Sequence, residues 1–404
     1  MTGLTLEDED GGLALLRESV AGFAERHGGV AGFRRRRAAG ADLDRATWTA
    51  MAEAGWLGLL LPEDLGGAGL GLAEQAVLSE ALGRALITEP LAQLAVLGGT
   101  LLAGLGEGAE RRRLAEGLAG GTALVVPAWQ GPDGAPAPVT ATAEGDGYRL
   151  TGRLHFLPLG ASATDLVVLA RAGGEDLLIS LPAGAPGLRI ETRPTLDGGQ
   201  MGTLHLDDAA AGPGALLAGG NSVGAALDRA VSVTRLALAA EMAGIATRAI
   251  ADTIAFTRQR VQFGRPIAAF QVVQHRLVDM WSDAEFACAA VVNAVERAAE
   301  AGGPVGGPAY AMADGMAGDP AHDMTDDMMT DDMAGALAVL AAKARAGDAA
   351  VSITRRAIHL HGAMGFTDEC DIGLFMKRAV ALNATLGQPD ALRLQFVARE
   401  RAAA

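Results

Sequence analysis

Arg260-Val-Gln-Phe-Gly-Arg-Pro-Ile267, followed by Phe270-Gln271 and His275, decides how this chain is read. The stretch lies in a long apolar-periodic segment that starts near Ala225 and runs on towards Arg297, so it sits on or between helices. An arginine, an amide and an aromatic beside a glycine offer a planar fork for pyrophosphate oxygens, a donor–acceptor pair and a flat ring face. The glycine lets a backbone approach closely. Holding a dinucleotide requires such groups. The same residues also suit a helix–turn–helix corner with solvent-facing arginines, and taken alone they leave both readings open.

Further along comes His359-Leu-His-Gly-Ala-Met-Gly-Phe366-Thr-Asp-Glu369. The first block resembles the signature of the acyl-CoA dehydrogenase family, the second resembles that family's second cofactor motif, and the spacing between them fits. Gly55-Trp-Leu-Gly-Leu-Leu-Leu-Pro62-Glu-Asp-Leu-Gly-Gly67 is similar to the family's N-terminal helical domain, and the likeness runs from about Glu9 to Arg401. The resemblance implies FAD as cofactor, with Arg260, Gln262, Phe263, Gly264 and Gln271 contacting it from the first block. His359, Leu360, His361, Gly362 and Ala363 would contact it from the second. It also implies an acyl-CoA substrate, electron-transfer flavoprotein as electron acceptor, and a tetramer built with itself or with a second dehydrogenase subunit.

Composition sets the bounds. With 404 residues, 50% of them hydrophobic, the chain can bury large cores. A net charge of −15, from 33 basic and 48 acidic residues, argues against nucleic-acid or anionic-membrane partners. Cys288 and Cys370 are too few for a disulfide framework or a zinc site and suit a reducing cytoplasm. The first ten residues are acidic and polar, the wrong character for a signal peptide. The most apolar run, Leu91 to Leu105, is short of a membrane span and reads as a core helix.

The pattern predicts an α+β chain, and the resemblance implies an acyl-CoA dehydrogenase-like fold for it. An N-terminal helical domain covers 1–121, a β-barrel or sandwich 122–218, and a C-terminal helical bundle 219–404. Leu13, Leu16 and Val20, Met51 to Leu61, and Leu72 to Leu86 supply the first helical segments. Strand-like runs follow at Ala123–Val126, Tyr148–Thr151, Asp165–Leu169, Asp176–Ser180 and Gly202–Leu206. Ala301 to Met333 breaks the helical pattern with a Gly-Pro opening and a tandem Met-Thr-Asp-Asp-Met repeat. Asp323, Asp326, Asp327, Asp331, Asp332 and His322 lack the alternating ligands, central glycine and terminal Glu of a calcium loop. The segment reads as a solvated insertion and no metal is expected.

The departures from the family are as informative as the matches. The family removes a proton beside a thioester carbonyl with a carboxylate and passes the adjacent hydride to flavin. Aligning without a gap from His359 places one usual carboxylate seat on Leu386, in Ala384-Thr-Leu-Gly-Gln388. The other usual seat falls on Thr234, in Ser232-Val-Thr-Arg-Leu236. Neither residue can serve as the base. Glu241, two helical turns and ~10 Å beyond Thr234, is the remaining candidate base; it reads more readily as a structural acid paired with Arg235 or Arg248. In the β region the family's Thr-Glu-Pro-Gly-Ala-Gly-Ser-Asp loop is replaced by Val125-Val-Pro-Ala-Trp129-Gln-Gly-Pro-Asp-Gly134. Its Trp-Ile-Thr segment becomes Leu154-His-Phe-Leu-Pro158, with Phe156 for Trp and Leu157 for Thr.

In the family each flavin spans a subunit interface, the ring held by one protomer and the ADP half clasped by its neighbour. This chain retains the clasp and lacks the groups for its own ring, which suggests the non-catalytic member of a hetero-oligomer. Glu80-Ala-Leu-Gly-Arg-Ala-Leu-Ile-Thr-Glu-Pro90 and Phe375-Met-Lys-Arg-Ala-Val resemble the small subunit of pimeloyl-CoA dehydrogenase and the paired dehydrogenases of steroid side-chain catabolism. Two other readings compete: a self-sufficient homo-oligomeric flavoenzyme using Glu241, and a scaffold without catalytic duty.

Overall fold

Helices occupy the chain up to Ala119 in the computed structural model, which describes residues 3–300 and 326–403. α1 (Gly12–His27) buries Leu13, Val20 and Phe23, and the left-handed Gly28 ends it before α2 (Gly29–Ala39). Asp44 caps α3 (Arg45–Glu53), its carboxylate accepting from the N–H groups of Ala46 and Thr47. The apolar stretch from Met51 to Leu61 is helical only to Glu53. Gly55 (φ 77°) takes the chain out of the helix, and Trp56–Leu61 packs as a buried turn. α4 (Leu72–Ala85) is buried along most of its length. The apolar run that follows forms a π-helical turn, Ala92–Val96, continued by α5 (Leu97–Ala103) and then α6 (Ala109–Ala119).

The strands come next: β1 (Val125–Ala128), β2 (Val139–Glu144), β3 (Gly147–Pro158), β4 (Asp165–Ala172), β5 (Glu175–Pro182), β6 (Leu188–Pro194), β7 (Gln200–Ala211) and β8 (Leu216–Gly219). They form one sheet in the order β6-β7-β3-β2-β4-β5-β8, with β1 also on β4. The first half of β4 pairs with β1 and its second half with β2, both parallel, so the sheet forks there. Four of the five strand-like runs of the sequence lie wholly in strands, and Ala123–Val126 enters β1 only at Val125. β2, β6 and β8 were not expected. In β2 only Val139 and Ala141 are buried, and alanine carries little apolar signal; β6, Leu188-Arg-Ile-Glu-Thr-Arg-Pro194, is masked by its charges.

α7 (Asn221–Gln259) is long and apolar enough to cross a membrane by length and composition, yet 83% of its apolar window is buried inside the protein. A short hairpin, β9 (Val261–Gln262) and β10 (Arg265–Pro266), leads to α8 (Gln271–Glu300). α9 (Asp326–His361), α10 (Ile372–Ala384) and α11 (Pro389–Ala403) complete the chain, with α8, α10 and α11 all packed on α9. The expected insertion at 301–333 lies outside the described residues as far as 325, including Asp323 and His322. From Asp326 the chain is helical, so the second Met-Asp unit belongs to the start of α9.

Contacts gather the chain into two compact units. One comprises Met1–Arg34, Leu72–Thr88 and Arg235–Ala404, the other Arg35–Gly71 and Glu89–Thr234. Within the first, α4 and α7 cross at glycines. A Cβ on Gly83 would sit 2.2 Å from the Glu241 carbonyl oxygen, and one on Gly244 would sit 2.0 Å from that of Glu80. The two backbones touch there, and only glycine permits it. That crossing fixes the height at which Glu241 enters the core.

Candidate functional site

α7 stops at Gln259 and the chain doubles back. Val261 pairs with Pro266 and Gln262 with Arg265, leaving Phe263 and Gly264 as a two-residue connection. Both are left-handed, at φ 51° and 78°, as the favoured type I′ hairpin turn demands. Glycine adopts that geometry at no steric cost, whereas a phenylalanine gives up roughly 1–2 kcal/mol to hold it. The ring gains no burial in return, for Phe263 is 91% exposed. A strained, outward-pointing aromatic at a turn is a candidate functional position. Phe270 stands edge-on to it at 6.1 Å, and the Arg265 guanidinium lies 4.3 Å over the Phe270 ring.

Arg260 sits at the base of this finger. Its N–H donates to the Phe256 carbonyl (2.9 Å) and its carbonyl accepts from the Ile267 N–H (2.8 Å). Arg260, Gln262, Gln271 and His275 are all exposed. Among the described residues no hydrogen bond or ion pair of this chain engages the Arg260 guanidinium or the Gln262 and Gln271 side-chain amides.

The second block ends α9, where Gly362 (φ 66°) breaks the helix into the turn Gly362–Phe366. Gly365 is buried there, and a Cβ on it would lie 2.6 Å from the Ile358 carbonyl oxygen. His359, Gly362 and Ala363 are exposed and Leu360 is half-buried, while the Phe366 ring is 82% exposed. The fold joins the two blocks through a residue that belongs to neither. Phe256 stacks on His361 with ring centroids 4.2 Å apart and planes 18° from parallel. The Phe256 carbonyl, in turn, holds the Arg260 N–H. His361 Nδ1 donates to the Ala357 carbonyl at 2.8 Å, and since a carbonyl only accepts, the ring proton belongs on Nδ1. The sequence contains one sign of this role: Phe256 lies one helical turn before Arg260 on a segment read as helical.

These groups fit a dinucleotide's polar half. An open guanidinium suits pyrophosphate oxygens, two open amides suit ribose or base edges, and an exposed ring covers a flat face. The β region offers less. Phe156 is left-handed (φ 61°) at a bulge of β3 and 44% exposed, so an aromatic face persists where the family has Trp, but Leu157 is turned fully into the core. Gln130 is engaged with its own loop, donating to the Gly134 carbonyl at 2.9 Å.

None of the three candidate base positions presents an available carboxylate. Thr234 is fully buried, and its hydroxyl donates back along the helix to the Ala230 carbonyl (2.7 Å). Leu386 occupies a left-handed position (φ 55°) after α10, its carbonyl accepting from Arg235 Nε at 2.9 Å. Glu241 accepts from Arg378 Nε at 2.8 Å in a pair with both side chains buried. The sequence reading of Glu241 as an acid paired with Arg235 or Arg248 therefore needs correction. Arg235 lies six residues away, about 120° around the helix, and turns to Leu386. Arg248 is taken by Asp252, its neighbour one turn on.

The family model described as "Acyl-CoA dehydrogenase, N-terminal domain" matches residues 12–122, and that of the C-terminal domain matches 224–338 and 324–400. Acyl-CoA dehydrogenase IpdE2 of Mycolicibacterium smegmatis is 29% identical over 93% of this chain and 94% of its own length. Acyl-CoA dehydrogenase FadE27 of Mycobacterium tuberculosis is 32% identical over 60% of this chain, a match that spans 64% of that relative. Among solved structures, a variant of the Tcur3481–Tcur3483 steroid ACAD superposes with TM-score 0.78 at 30% identity, covering 97% of this chain and 99% of that one. The ChsE4–ChsE5 complex of Mycobacterium tuberculosis also gives 0.78, at 25% identity over 100% and 99%.

Proposed function

Since the chain belongs to the acyl-CoA dehydrogenase family, we propose that it completes the FAD site of a base-bearing partner subunit rather than abstracting the substrate proton itself. The observation that carries this reading is the hairpin tip. Phe263 is held in a strained, left-handed conformation that leaves its ring 91% exposed, with Phe270 edge-on beside it. Arg260 would grip pyrophosphate oxygens bidentately, Gln262 and Gln271 would bond the nucleotide's polar edges, and Gly264 would admit the ligand against backbone. His359, Leu360, His361, Gly362 and Ala363 would close the other side, held in place by the stack of His361 on Phe256. FAD, when bound, supplies the hydride acceptor for α,β-dehydrogenation of an acyl-CoA thioester.

The proton beside the thioester carbonyl then leaves to a carboxylate of the partner, because Leu386 and Thr234 occupy this chain's two seats and Arg378 engages Glu241. The hetero-oligomeric reading is supported by likeness to a chain solved as the ChsE4–ChsE5 complex, and the steroid ACAD likeness supports an acyl group of lipid or steroid origin. Electron-transfer flavoprotein as acceptor and a cytoplasmic setting complete the proposal. Arg260→Ala should weaken FAD binding to the assembled complex by about 2–4 kcal/mol, as expected for a charge-assisted contact, without unfolding this chain. The chain alone should bind FAD weakly and turn over negligibly. Stoichiometric flavin and ordinary turnover by the lone chain would overturn the proposal.

A further inference from the structure

Lys343, on α9, is fully buried, one of the two lysines in the chain and one of its largest fully buried side chains. Its Nζ donates to the carbonyls of Leu382 (3.1 Å), Asn383 (3.4 Å) and Gly387 (3.5 Å). Two of these belong to the last turn of α10, where the Leu382 carbonyl also accepts from the Thr385 N–H at 3.1 Å. The third lies in the turn that follows, Thr385–Gln388, where Leu386 (φ 55°) and Gly387 (φ 114°) are both left-handed. From α7, Arg235 Nε reaches the Leu386 carbonyl at 2.9 Å. Cations from two helices thus converge on one turn, and the partial negative charge of the α10 C-terminus favours both.

The donor count is specific. An ammonium has three N–H groups for these three carbonyls, whereas a neutral amine has two, and its lone pair would face the third oxygen. We propose that Lys343 is a proton-operated pin for the turn Thr385–Gln388: as an ammonium it fastens three carbonyls, and as an amine it releases one, leaving the turn with two lysine bonds, the Arg235 bond to Leu386 and the Thr385 hydroxyl bond to Ala381. Burial first, then the like charge of Arg235, pushes this lysine down to about 7, so the pin releases near neutral pH. Several charged groups on the surrounding helices are paired with one another. Arg378 of α10 bonds Glu241 of α7, Arg393 of α11 bonds Asp390 and Asp348, and Asp283 of α8 bonds Arg345 and Arg356. The inference is independent of the cofactor assignment.

Because Lys343 and Lys377 are the only lysines, ε-13C-lysine labelling of the full chain yields two side-chain signals, and Lys377→Arg assigns them. The Lys343 signal should titrate with a midpoint near 7. Amide hydrogen exchange at 385–388, corrected for intrinsic base catalysis, should lose about tenfold protection at the same midpoint. Arg235→Gln removes the like charge and should move both midpoints upward together. Lys343→Met should abolish the pH dependence of exchange at the turn; if that variant fails to fold, the wild-type titration and Arg235→Gln still decide. A Lys343 signal with no inflection between about pH 5.5 and 9, or exchange at the turn that stays flat across the inflection, would overturn the proposal.

Discussion

Glu241→Gln tests whether the one surviving carboxylate near the family's seats is chemical or structural. Its partner Arg378 is 2.8 Å away, and the two side chains retain only 8% and 6% of their exposure. Unit charges at that separation attract by about 6 kcal/mol at an effective dielectric of ~20. A glutamine oxygen can still accept from Arg378 Nε, returning about 1.5–3 kcal/mol as a bond to a charged donor. The net loss should be about 3–5 kcal/mol, the range found when one partner of a buried pair is removed. Urea unfolding reads it as a midpoint shift at unchanged m. Combining Glu241→Leu with Arg378→Met removes both charges and should recover most of the loss, since the uncompensated charge is the larger part of it. With its stability recovered as expected, the double variant also isolates the chemistry. Assembled with a base-bearing partner, it should keep its rate, whereas a positioned general base would take ~10²–10⁴-fold with it. A Glu241→Gln cost below about 1 kcal/mol, or a double variant no more stable than the single, would refute the ion-pair reasoning.

Gly244→Ala places a Cβ 2.0 Å from the Glu80 carbonyl oxygen and must push α4 from α7, costing about 2–3 kcal/mol; an unchanged melting temperature would contradict the backbone contact. Phe263→Gly relieves about 1 kcal/mol of left-handed strain, so this chain should melt no earlier while the assembled complex loses flavin occupancy. Full occupancy would dismiss the finger as a clasp. Lys343 also sets a stability slope. Its folded pKa of about 7 lies below its usual 10.5, so between those values the unfolded chain binds a proton the folded chain does not. Stability should therefore rise with pH there by up to about 1.4 kcal/mol per unit, and the slope should vanish below about 7, where both states are protonated. Equilibrium unfolding of Lys343→Met should lack that component, and an identical pH profile would refute it.

The family resemblance implied the cofactor role of the two blocks and the loss of both usual base residues, whereas the α+β order and the Gly-centred blocks around Arg260 and His359 themselves were legible from residue identity and local period. Those features depend on neighbours within a few residues, which is the range over which helix period, turn chemistry and a Gly-centred motif act. β2 and β6 were not legible, because small and charged side chains carry no alternating apolar signal and the strands exist through their partners. The proposed clasp is tertiary. The stack that joins its two halves links Phe256 to His361 across two long helices, and the left-handed Phe263 is visible only once the hairpin register is set. Glu241 illustrates the limit most clearly. Its sequence neighbours Arg235 and Arg248 looked like partners, yet its partner is Arg378, 137 residues away. Which charges pair in a core is settled by which helix faces are brought within a few ångströms, and burial then makes the nearest arrangement far stronger than any exposed alternative.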